Sequence, residues 1–112
     1  MHLYMDDYRP CPQGFALARD AEECIVMLRE CHGQIDILSL DFDLGPWGST
    51  GLEVASAIVR EKLYPRRIYL HSSSDYGRRA MYELLYEHKP SDVQLFNHAM
   101  PHELLIQIVE EG

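Results

Sequence analysis

Short apolar runs alternate with helix-period segments along the whole chain. The runs His2–Asp6, Phe15–Arg19, Ile35–Leu40, Arg67–His71 and Val93–Phe96 read as strands, each brief and bounded by turn or breaker residues. Between them, Ala21–Cys31 carries an apolar stripe of Ala21, Cys24, Ile25 and Leu28. Asp20 stands at its N-cap and Glu23 completes a capping box. Thr50 and Glu53 form a second box for a helix over Gly51–Lys62. A third helix is expected over Asp75–His88, ended by Lys89-Pro90, and a last one opens at Pro101 and ends near Glu110.

The order β-β-α-β-α-β-α-β-α predicts an α/β, three-layer domain with a mostly parallel five-stranded sheet and right-handed crossovers. One joint departs from that pattern. Arg9, Pro10, Pro12 and Gly14 fill the short connection between the first two strands, which is too brief for a crossover helix. The first helix is therefore expected to be reduced to a loop. One sheet face would then lack a covering helix, which marks it for a homodimer or other partner contact.

Composition narrows the functions open to such a fold. The 112 residues suit one domain over residues 1–112, and 46% apolar content can build a core. A net charge of −8 argues against broad DNA binding or attachment to an anionic membrane, yet leaves room for a small basic pocket. No apolar stretch is long enough to span a membrane and MHLYMDD does not read as a signal peptide, so a cytoplasmic location is expected. Cys11, Cys24 and Cys31 are odd in number and form no CxxC. They read as core thiols, or as part of a zinc site with His32 or His2.

The candidate chemistry gathers at strand ends. Asp6-Asp7 follows the first strand and Asp41-Phe42-Asp43 the third. Carboxylates at the C-terminal ends of neighbouring parallel strands can meet in one crevice, where their repulsion calls for a cation or a shared proton. Asp6, Asp7, Asp41 and Asp43 read either as caps and turn residues or as a nest for Mg²⁺ or Mn²⁺, with Asp41 nearest the ion. Arg9 can grip a phosphate with its guanidinium or form an ion pair. His71 can transfer a proton as a catalytic group or make a structural hydrogen bond. Ser72, with its serine neighbours and Arg78 at the start of a helix, can bind an anion, and capping serves the same residues. Trp47 can stack on a base or sugar, or pack as a lid.

These residues resemble a receiver domain, the flavodoxin-like module of two-component signalling. The resemblance implies Mg²⁺ binding by Asp6-Asp7, phosphate acceptance by Asp41, a backbone carbonyl for the metal at Asp43 and a hydroxyl at Ser72. It also places Asn97 where receivers carry a lysine that pairs with the phosphorylated aspartate. A closer resemblance, to the cyclic-phosphate-processing receivers, rests on Asp6-Asp7-Tyr8-Arg9, Ser39–Gly45, Thr50-Gly51 and His71-Ser72 followed by Gly77-Arg78. Two positions differ from that pattern: Phe42 replaces a usual histidine and Ser74 a usual asparagine.

Two functions follow. One is metal-dependent processing of a phosphate ester, a cyclic phosphate on a nucleotide or RNA end. Asp41 and His71 would be catalytic, Arg9, Ser72 and Arg78 would hold the phosphate, and Asp6, Asp7, Asp41 and Asp43 would hold the metal. The other is a degenerate receiver that binds a ligand or protein without turnover.

Overall fold

The computed structural model describes residues 1–46 and 48–112; the expected stacking or lid residue Trp47 lies outside the described residues. The strands are β1 (His2–Met5), β2 (Ala16–Ala18), β3 (Ile37–Leu40), β4 (Arg67–Leu70) and β5 (Gln94–Phe96). The helices are α1 (Ala21–Glu30), α2 (Gly51–Glu61), α3 (Asp75–His88) and α4 (His102–Glu111). The sheet order is β2-β1-β3-β4-β5 and every pairing is parallel. The predicted α/β receiver-like fold is therefore the observed one, with strands a residue or two shorter than the apolar runs.

Period-two alternation assigns the two faces of the sheet. Leu38 and Leu40 of β3, with Ile68 and Leu70 of β4, enter a core with Cys24, Leu28, Val54, Ile58, Met81 and Leu85 from α1, α2 and α3. On the other face Ile37 and Tyr69 pack with Ile108 and Leu104 of α4 and with Phe15. The link from Met5 to Ala16 contains no helix, so the loop makes the parallel crossing itself. That loop and α4 share the second face, and a shallow groove between them is lined by Pro12, Gln13, Leu105, Ile106 and Val109. Gly14 lies against α4 with φ +91°, and a Cβ there would come within 2.9 Å of Ile108.

The helix starts follow their caps. Asp20 accepts from the Glu23 N–H at 2.8 Å, Thr50 from Leu52 at 3.3 Å and Ser74 from Gly77 at 3.0 Å. The three cysteines are free. Cys24 is buried, which pushes its thiol up to about 12. Among the described residues no helix is long and apolar enough to cross a membrane.

Candidate functional site

The loops after β1, β3 and β4 meet at the C-terminal edge of the sheet, where a doubly wound fold opens its crevice. Asp6 sits immediately beyond β1 and is wholly buried. Both of its oxygens are fully engaged. Oδ1 accepts from the Tyr8 and Arg9 backbone N–H groups, each at 2.9 Å. Oδ2 accepts from Arg9 Nη1 at 2.9 Å and pairs with His71 Nε2 at 2.9 Å. Four bonds fill the acceptor sites of one carboxylate.

The same Arg9 Nη1 lies 3.3 Å from Asp41 Oδ2, so one guanidinium bridges the two carboxylates. Arg19 holds the loop beneath it, donating from Nη1 to the carbonyls of Asp6 (3.0 Å) and Arg9 (3.1 Å). Asp41 Oδ1 accepts from the Phe42 N–H at 2.8 Å. Gly51, at the start of α2, has no room for a side chain: a Cβ there would overlap the Asp41 carbonyl oxygen.

Burial and partners drive the two acids apart. Burial pushes Asp6 up, but the Arg9 N–H and guanidinium, the Tyr8 N–H and His71 outweigh it and hold Asp6 at about 2. At Asp41 burial and the Asp6 charge win over the Phe42 N–H, Arg9 and Ser72, and its carboxyl is raised. Asp6 is thus the fixed anion of the pair, and Asp41 the acid held above its ordinary value.

His71 lies behind Asp6. Its ring stacks on Tyr4 at 4.5 Å with 4° between planes, and its Nδ1 is 2.6 Å from Ser39 Oγ. An ionised Asp6 can only accept, so Nε2 carries the proton and Nδ1 accepts from the Ser39 hydroxyl. Burial lowers the His71 pKa despite Asp6, which keeps the ring neutral.

Outside this buried layer, Asp7, Tyr8, Arg9, Asp41, Asp43, Gly45 and Ser73 line an open crevice of about 300 Å³. Of the expected site residues, Arg9, Asp7, Asp41 and Asp43 share this crevice, and Asp6 and His71 stand behind it. Ser72 is buried, and its hydroxyl accepts from the Ser74 N–H at 3.1 Å. Arg78 turns back along α3, donating from Nη1 to the Ser72 carbonyl and from Nη2 to Asp75, each at 2.6 Å. Phe42 packs against the first turn of α3, edge-on to Tyr76 at 6.2 Å, and fills the space a Cβ on Gly77 would need. Sequence reading assigned no role of their own to Ser39 and to the exposed ring of Tyr8. Ser39 did leave a signal, as the one polar residue within β3.

A divalent ion was expected from the carboxylates. In kind the donors suit one: oxygens of Asp6 and Asp41 and a nitrogen of His71 lie within 4.8 Å of one another. Among the described residues this is the group of acids, histidines and thiols that converges, and the cysteines are not part of it.

The family model of the cyclic-phosphate processing receiver domain matches residues 1–87. The chain belongs to that family. Every residue of the crevice and of the layer behind it lies inside the matched span of this receiver domain. The match ends before β5 and α4, so the end of the fifth strand is read from the structure alone. There Asn97 follows β5 directly, and the chain's two lysines, Lys62 and Lys89, instead follow the C-termini of α2 and α3. No curated protein and no solved structure matches the chain.

Proposed function

We propose that the crevice binds a phosphate ester, a cyclic phosphate on a nucleotide or RNA end, and opens it by hydrolysis. The observation that carries this reading is the pairing of a fixed anion, Asp6, with an acid of raised pKa, Asp41, bridged by a partly exposed arginine at the crevice wall. A phosphate oxygen needs a cation and a donor, and Arg9 offers both. Ser73 adds a hydroxyl to the same wall. Asp41 would take a proton from the attacking water as its oxygen bonds to phosphorus. The bond from phosphorus to one ring oxygen would break, and that oxygen would take the proton back from Asp41, leaving a phosphomonoester.

A divalent ion held by Asp6 and Asp41, with Asp7 and Asp43 at the mouth, would neutralise phosphate charge. In this scheme His71 steadies Asp6, and Ser72 and Arg78 shape the turn into α3. The exposed Tyr8 would stack on the base of a nucleotide seated in the crevice.

One observation favours a second reading, a binding module without turnover. Both His71 nitrogens are engaged within the buried layer, and Phe42, which carries no titratable group, stands where the family pattern has a histidine. Incubation with 2′,3′-cyclic nucleotides and Mg²⁺ or Mn²⁺, beside an Asp41→Ala control, separates the two. Turnover lost in the control supports the hydrolase. Saturable binding with no turnover across a range of metals overturns it in favour of the binding module.

A further inference from the structure

We infer that Arg9 is a tethered competitor for the divalent cation: its guanidinium and the ion exclude each other at Asp6. The inference builds on the phosphate-ester reading, because an oxyanion in the crevice is what would draw Arg9 away.

Asp6 has no acceptor site left. Two of its four bonds come from the backbone of its own turn and one from a buried imidazole. The fourth, from Arg9 Nη1, is the only one made by a partly exposed side chain. It is therefore the bond that can be given up without dismantling the fold. The same nitrogen faces Asp41 at 3.3 Å, so Arg9 already supplies the positive charge that the two acids require. A cation reaching both carboxylates must take that place, and a guanidinium left beside it would repel it.

The backbone is built for such an exchange. Arg19 ties down the carbonyls of Asp6 and Arg9, and the Arg9 N–H remains on Asp6 Oδ1. The loop can stay in place while the side chain swings. On leaving Asp6, the guanidinium stays over the crevice it already lines. An oxyanion there would give it a bidentate partner and so favour the cation. Arg9 would thus link ester and metal, keeping the ion out until a phosphate arrives.

The test is a Mn²⁺ titration read by the electron paramagnetic resonance signal of the free ion. It compares the intact chain with Arg9→Ala and, as a variant that keeps the apolar stem, Arg9→Met. Circular dichroism establishes that each is folded. Either variant is expected to bind Mn²⁺ about tenfold more tightly than the unaltered chain, since a single repelling charge has been removed. Adding Asp6→Asn to the Arg9 variant should abolish the gain. Equal or weaker binding in both Arg9 variants overturns the proposal, and so does absence of binding in all three proteins.

Inorganic phosphate reports separately on the ester reading. It should tighten Mn²⁺ binding by the unaltered chain more than by the variants. A gain in the variants, with phosphate affecting none of the proteins, supports the competition and overturns the ester reading.

Discussion

Asp6 carries a testable acid dependence. It is wholly buried, accepts four bonds, and titrates at about 2, against about 3.9 for a free aspartate. Nearly two units of depression correspond to at most about 2.6 kcal/mol of folding free energy. Arg9 is a third exposed, and solvent screens its share, so about 1–2.5 kcal/mol is expected. A carboxylate depressed in the folded state stabilises above its unfolded pKa, and the contribution is lost as pH falls through the folded value. The loss should therefore run from about pH 4 to about pH 2.

Asp41 acts in the opposite sense. Its folded pKa is raised by burial and by Asp6, so its ionised form costs stability near neutral pH, and protonation removes that cost as pH falls toward 4. Asp6→Asn removes the depressed acid and relieves Asp41 of a like charge. Urea unfolding at steps from pH 7 to pH 2 should show the unaltered chain more stable than Asp6→Asn by a gap that widens toward about pH 4 and narrows below it. Other lowered carboxylates, Asp36 and Glu61, are present in both proteins and cancel in the difference. A gap that stays constant between pH 2 and pH 6 would refute the assignment of Asp6 as the fixed anion.

Other outcomes follow from the packing around the site. Gly77→Ala should destabilise by about 1–3 kcal/mol even though alanine favours a helix, because the new methyl overlaps Phe42; thermal melts should show the loss shrink in a Phe42→Ala background. Gly51→Ala, which meets the immovable Asp41 carbonyl, should destabilise and also disturb ligand binding, measured by calorimetry. Tyr8→Ala should weaken a cyclic nucleotide by about 1–3 kcal/mol and leave inorganic phosphate unchanged; equal losses for both would remove Tyr8 from base stacking. Acetyl phosphate should leave no stable aspartyl-phosphate on Asp41, since Asn97 supplies no charge at the end of β5, and mass spectrometry detecting such an adduct would show that the missing lysine does not matter.

The fold was readable because its signals are local. Asp20, Thr50 and Ser74 cap α1, α2 and α3 from within their own segments, and the strands coincide with short apolar runs. The location of the site was readable for the same reason: Asp6 and Asp41 each end a strand, and β1 pairs with β3. What Arg9 does was only half readable. Its spacing of three from Asp6 suggests an ion pair, but the bridge to Asp41 depends on how two loops meet in space.

The least readable feature is the Ser39–His71–Asp6 chain, which spans three strands. Finding it requires the register that sets Ser39 opposite Tyr69, then a step of two residues to bring His71 onto the same face, then Tyr4 opposite Ser39 to receive the ring. No single segment contains that information. The histidine at this strand end makes two hydrogen bonds behind the crevice, with Ser39 on one nitrogen and Asp6 on the other. It orients the carboxylate that holds Arg9. His71→Gln, whose amide can still donate to Asp6, should therefore retain the acid-dependent stability gap more fully than His71→Ala, which leaves Asp6 one donor short in a buried site.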